Sequence, residues 1–190
     1  MKQLTGIIVG IIALALFGGC WFISQRNSLV TFDEEVNKTW SDIDTQLQRR
    51  NDLIPNLVST VKGYAAHEEG VFTGIADARS KLAGATTVSE KAEADAALTA
   101  GLGRLLAIAE NYPELKANEN FIRLQDELAG TENRIAVSRK RYNDSVKIYN
   151  TEIRKWPGSM FASDLGLTAR DYFEPPKGHD AVVNAPKVEF

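Results

Sequence analysis

One cysteine, Cys20, and two histidines, His67 and His179, are all that the 190 residues hold of thiol and imidazole side chains. A lone cysteine excludes an intramolecular disulfide and any metal site built on cysteine pairs. A zinc peptidase needs H-E-x-x-H, two imidazoles one helical turn apart. Here His67-Glu68-Glu69 is followed by Val71 at the decisive position, and His179 is far away. Neither sign of charge dominates: 22 Lys and Arg stand against 25 Asp and Glu, a net charge of -3. Such a balance gives no field to hold nucleic acid, so none is expected as a partner. Also missing are a Walker A loop, a dinucleotide glycine fingerprint and a G-x-S-x-G elbow. Serine and aspartate without a placed histidine make no acyl-transfer triad. The acid pairs Asp42 with Asp44, and Asp33 to Glu35, belong to an exposed helix face rather than a sugar cleft. No catalytic residue, cofactor or metal is expected.

What the chain does have begins at once. Leu4 to Ile23 is twenty residues without an ionisable carboxylate, amine or guanidinium. At about 1.5 Å per residue, a helix of that length covers roughly the 30 Å of a bilayer's hydrocarbon core. Trp21 and Arg26 stand where an interfacial aromatic and a snorkelling cation belong. The leading expectation is an uncleaved transmembrane anchor over residues 1–27, giving a single-pass protein of the cell membrane. A cleaved secretory signal is disfavoured by the length of the run and the lack of an A-x-A-like site. A lipid anchor through Cys20 is the other alternative, because Phe17-Gly18-Gly19-Cys20 loosely resembles a lipobox; against it, Trp21-Phe22-Ile23 extends the apolar run past the cysteine. Lys2 on one side and Arg26 with Lys38 on the other leave the orientation near a tie.

From Val36 a rhythm of fours and threes sets in: Val36, Trp40, Ile43, Leu47, Arg50, Ile54, Leu57, Val61, Tyr64. Eight of the nine are apolar, the 3.5-residue period of a long helix packed on other helices. Leu29 and Phe32 fit the same phase, so the anchor helix could run on into this one. Pro55 lies inside the pattern without shifting its phase. A kinked but continuous helix ending near 63–67 is expected, with two helices in line as the alternative. A second helix is read over 68–82. A third, capped by Thr87 or Ser89, runs to Glu110 with an alanine-rich face of Ala97, Ala100, Leu102, Leu105, Leu106 and Ile108. A fourth runs over 117–155 through Phe121, Leu124, Leu128, Ile135, Tyr142, Val146, Tyr149, Ile153 and Trp156. Its rhythm slips after Tyr142, which predicts local unwinding there. The expected fold is all-α: an N-terminal transmembrane helix, then an antiparallel helical bundle over 28–160 with two long and two shorter helices. An irregular tail over 161–190 follows, partly packed on the bundle through Phe161, Leu165, Leu167, Tyr172 and Phe173, and mobile near its end.

Within this frame Arg50 stands out as a cation on an apolar seam, where it needs a carboxylate or carbonyls from a neighbouring helix. An anion site with Arg49, or a guanidinium that snorkels outward, are the alternatives. Arg139-Lys140-Arg141 reads as a solvated basic face, and His67 as a cap at a helix–helix corner.

Three blocks carry a family resemblance: Trp40-Ser41-Asp42-Ile43; Gln48-Arg49-Arg50-Asn51-Asp52-Leu53-Ile54-Pro55-Asn56-Leu57-Val58; and Thr60-Val61-Lys62-Gly63-Tyr64-Ala65-Ala66-His67-Glu68. Arg141-Tyr142-Asn143, Val146, Tyr149-Asn150, Pro157 and the ending Tyr172-Phe173-Glu174 with Val188 to Phe190 agree. The chain resembles the LemA family of bacterial membrane proteins over roughly residues 28–190. The resemblance implies an N-terminal anchor and an antiparallel helical bundle, and no accepted activity, cofactor or substrate. The motif residues are therefore read as architecture: Leu53, Ile54, Leu57, Val58 and Val61 pack, Pro55 bends, and Arg50 pairs. The function expected is a non-enzymatic, membrane-anchored scaffold or adaptor of the cell envelope, a homo-oligomer on membrane lipid with an envelope protein as a further partner. The alternative is an accessory subunit or enzyme of membrane proteolysis or cell-wall turnover, with a polar site near Arg50, Asp52 and His67.

Overall fold

The computed structural model describes residues 2–174. Among the described residues there are six helices and no strand: α1 Lys2–Lys62, α2 Glu69–Gly84, α3 Val88–Ala109, α4 Pro113–Lys116, α5 Glu119–Glu152 and α6 Gly158–Asp164. The all-α expectation holds, but with two helices more than the periodicity gives. Pro113, just past the Glu110 at which the third helix is expected to end, opens α4 at its first position, where a missing N–H is harmless. Gly158–Asp164 is helical, although residues 161–164 belong to the tail expected to be irregular. Pro175, Pro176, Pro186, His179, Val188 to Phe190 and the mobility expected near the end lie outside the described residues.

The apolar run and the heptad seam belong to one helix, α1, which is unbroken through Pro55. Pro55 is exposed, so its ring and its missing hydrogen bond fall on the water side. Among the described residues no helix is long and apolar enough to cross a membrane. The side chains of Leu4, Thr5, Ile7 and Val9, part of the run read as a span, are not among those described. The transmembrane expectation thus stays with the sequence.

The chain divides into two compact units, Met1–Thr39 with Asp144–Arg170, and Trp40–Asn143 with Asp171–Phe190. In the second unit α1 and α5 run antiparallel: Trp40 meets Tyr142, Arg50 meets Glu132, and Tyr64, just past the end of α1, meets Asn118, just before the start of α5. Ile43, Leu47, Ile54, Leu57 and Val61 of α1 are buried, as are Phe121, Ile135 and Tyr142 of α5. Helix α2 folds back on α3 through the loop 85–87. Ile75 lies so close to Gly101 that a Cβ there would sit 3.1 Å from its side chain. Thr87 caps α3 by accepting from the Glu90 backbone N–H, and the Glu90 carboxylate accepts from the Thr87 N–H, a reciprocal capping box. The backbone N–H groups of Thr86 and Thr87, both donating to that carboxylate, hold the Glu90 carboxyl below its ordinary range.

Four seam assignments need correction. On α3 the buried face is Ala92, Ala94, Asp95, Leu98, Leu102, Leu105 and Ala109, while Ala97 and Ala100 are exposed. Tyr64 falls beyond the last residue of α1, so helical phase no longer governs it, and it is 38% exposed. Trp156 is 73% exposed because α5 ends at Glu152. The unwinding expected after Tyr142 is absent: α5 is continuous, and the slip is absorbed by a change in which residues face inward, Thr131 before it and Val146 after it. The slip falls at the boundary between the two units.

Candidate functional site

Arg50 supplies the most polar point of the second unit. Its guanidinium is 5% exposed and its Nη1 donates to Asp95 Oδ1 at 2.9 Å and to Glu132 Oε2 at 2.8 Å. Three helices are joined by this: α1 gives the cation, α3 a buried carboxylate and α5 a half-exposed one. Burial alone would make the cation costly, but two carboxylates neutralise it in place. The Asp95 carboxyl is pushed above its usual range, mainly by burial; Arg50 opposes this and the Glu132 charge adds to it. Arg139, from the basic run on α5, also lowers the Asp95 value. Beside this cluster Lys91 pairs with Asp44 and lies 5.5 Å from the centre of the Trp40 ring, which itself packs on Tyr142 and Phe173.

The residues proposed as one polar site do not converge. Arg50 is buried, Asp52 faces out two residues on, and His67 lies past the end of α1. His67 is exposed and lines a separate shallow groove of about 450 Å³ with Glu68, Val71, Ala97 and Arg104. It does not cap α2, whose N-cap is Glu68 without a side-chain cap bond. Arg49 and Asn56 are exposed; Leu53 and Val58 are half-buried; Ile54, Leu57 and Val61 are core. Cys20 carries a free, exposed thiol. Among the described residues no three His, Cys, Asp or Glu side chains are placed to hold a metal ion.

A second set of polar contacts comes from a repeated dipeptide, Tyr142-Asn143 and, seven residues later, Tyr149-Asn150. In the second unit the Tyr142 hydroxyl donates to the Asp171 carbonyl at 2.9 Å. Asn143 accepts from the Phe173 N–H at 2.9 Å and donates to the Phe173 carbonyl at 3.4 Å. In the first unit the Tyr149 hydroxyl donates to the Thr168 carbonyl, while Asn150 donates to the Arg170 carbonyl and accepts from its N–H, all at 2.9 Å. An asparagine amide offers one acceptor and a pair of donors on a planar group, so it can satisfy both backbone groups of one residue, as a neighbouring strand would. Non-helical chain that would otherwise leave polar groups unpaired is thereby fixed. Arg170 adds an ion pair with Asp33 at 2.8 Å, which raises its already high value. Burial, and the Asp33 charge, push the Tyr149 hydroxyl up, so it stays a donor. Periodicity finds the two tyrosines but not the asparagines. The signal that could have found them is the Tyr-Asn pair repeated at heptad spacing.

A family model described as the LemA family matches residues 39–190. Among curated proteins, magnetosome protein MamQ 1 of Paramagnetospirillum magneticum is 27% identical over 192 residues, covering 87% of this chain and 71% of its own length. MamQ of Magnetospirillum gryphiswaldense matches with the same identity and coverage. Protein LemA of Metamycoplasma hominis is 23% identical over 147 residues, covering 77% of this chain and 67% of its own length. None of these names states a reaction.

Proposed function

The chain belongs to the LemA family, and from that premise we propose that it is a non-enzymatic scaffold or adaptor of the bacterial cell envelope, tethered to the cell membrane by one pass of its first 27 residues. The observation that carries the non-catalytic part is the fate of the buried charges. Buried Arg50 and Asp95, with the half-exposed Glu132, neutralise one another across the helical packing instead of pointing into a cavity, whereas an active site holds such groups convergent and open. The tether is supported by the apolar run from Leu4 to Ile23, long enough to span a bilayer. Names such as magnetosome protein MamQ and protein LemA, which state no reaction, fit this reading. Acylation of Cys20 is the alternative means of attachment.

A tether confines copies to one plane and raises their effective concentration, so weak lateral contacts suffice for assembly. The partners proposed are membrane lipid, further copies of the chain, and an envelope protein. Chemical crosslinking in native membranes tests this. Multimers or one discrete heteromeric product are expected; a monomer without a partner at any crosslinker dose would contradict the scaffold role.

A further inference from the structure

The first unit ends in a corner whose exposed side chains its own packing does not account for. Trp21 lies 6.5 Å from Trp156, ring centre to ring centre, and Phe22 meets Phe161 edge-on at 4.7 Å. Phe161 is buried by this contact, yet Trp156 is 73% and Met160 64% exposed. The corner is closely built. A Cβ at Gly158 would run into the Glu152 carbonyl and would touch Leu29, so only glycine lets α6 turn back this tightly. Arg26 of α1 and Asp164 of α6 pair at 3.5 Å. Trp156 and Met160 are thus held outward by a fixed turn rather than left over from a loose one.

We propose that this corner is a second membrane contact, in which Trp156 and Met160 enter the boundary between headgroups and acyl chains beside Trp21. The proposal rests on the tethered reading above. Trp21 stands near the end of the apolar run, where an anchor passes out of the hydrocarbon, and the 6.5 Å between ring centres keeps Trp156 within that distance of the same depth. An indole, apolar in body with one N–H donor, is the side chain best suited to that layer. Exposed Arg154 lies two residues before Trp156; its stem can lie along the boundary while the guanidinium reaches lipid phosphates, whereas the Lys155 ammonium is paired with Glu152. Contact at two points would also restrict how the first unit tilts on the bilayer, which a single helical span fixes less firmly.

The test reconstitutes the full chain, with Trp21→Phe and Trp40→Phe, into phosphatidylcholine vesicles brominated either near the headgroup or near the bilayer centre, and recovers them by flotation. Trp156 fluorescence should shift to the blue and lose intensity, more with bromine near the headgroup. Because Trp40 packs on Tyr142 and Phe173, a second protein keeps all tryptophans and carries a nitroxide at Met160→Cys in a Cys20→Ser background. Its spin label should be more accessible to oxygen than to a water-soluble nickel complex. A floating chain with unquenched, water-like Trp156 emission and a nickel-accessible label would overturn the second contact and leave the tether standing, as would a Trp156 covered by another protein chain. A chain absent from the floating fraction would overturn both.

Discussion

At the scale of single residues, a guanidinium on an apolar seam must be neutralised where it lies. Arg50 meets that demand through Asp95 and Glu132. Arg50→Met should strand the Asp95 carboxylate and destabilise the second unit by about 3–5 kcal/mol. Arg50→Met with Asp95→Leu should recover most of that loss in urea denaturation, because a well-packed apolar pair replaces an uncompensated charge. Asp95 also leaves a signature with pH. Its folded value is raised above 3.8, so the folded state binds the proton more tightly. Its contribution is therefore favourable in acid and is lost as pH climbs from the unfolded value through the raised one. Asp95→Asn should remove that decline, visible as a flatter stability curve above pH 3.8 than that of the unaltered chain; an unchanged slope would contradict the assignment. The need for a partner at Arg50 could be read from the sequence, since a cation in phase with Ile43, Leu47, Ile54 and Leu57 admits few fates. Which carboxylate answers could not: Asp95 sits on α3 where alanines seemed the natural core, and only three-helix packing selects it.

At the scale of elements, the two Tyr-Asn pairs act as clamps on non-helical chain. Asn150→Ala should remove both bonds to Arg170 and Asn143→Ala both bonds to Phe173. At about 1 kcal/mol for each bond, either change should cost about 1–2 kcal/mol. It should also speed hydrogen exchange in the clamped segment while the heptad core of α5 keeps its protection; equal loss of protection in both would argue against a local clamp. Pro55 poses the opposite question. Because α1 is continuous and the ring faces water, Pro55→Ala should restore a hydrogen bond to the Asn51 carbonyl. Stability should rise, by no more than about 3 kcal/mol, the intrinsic difference between the two residues in a helix. A lower melting temperature would show that neighbouring helices are packed to the bend. The long helices were legible because burial at a 3.5-residue period leaves a trace in every turn. Helices α4 and α6 were not, being too short to show a period. Trp156 and Tyr64 were misassigned for a related reason: each keeps the phase of a helix that has already ended, α5 at Glu152 and α1 at Lys62.

At the scale of the whole molecule, the account turns on the first 27 residues. Their composition permits the 30 Å span of a bilayer, roughly, and the seam of α1 continues from them without a break. Neither the heptads nor the buried ion cluster requires a membrane, and a scaffold reading without a tether would lose the planar confinement that makes weak contacts effective. The most direct measurement is an alkaline carbonate wash of native membranes followed by intact-mass analysis of the chain recovered. The account predicts, in the membrane pellet, a chain whose mass shows that Leu4 to Ile23 is still attached. A chain that begins after Ile23 and is recovered in the wash would contradict it.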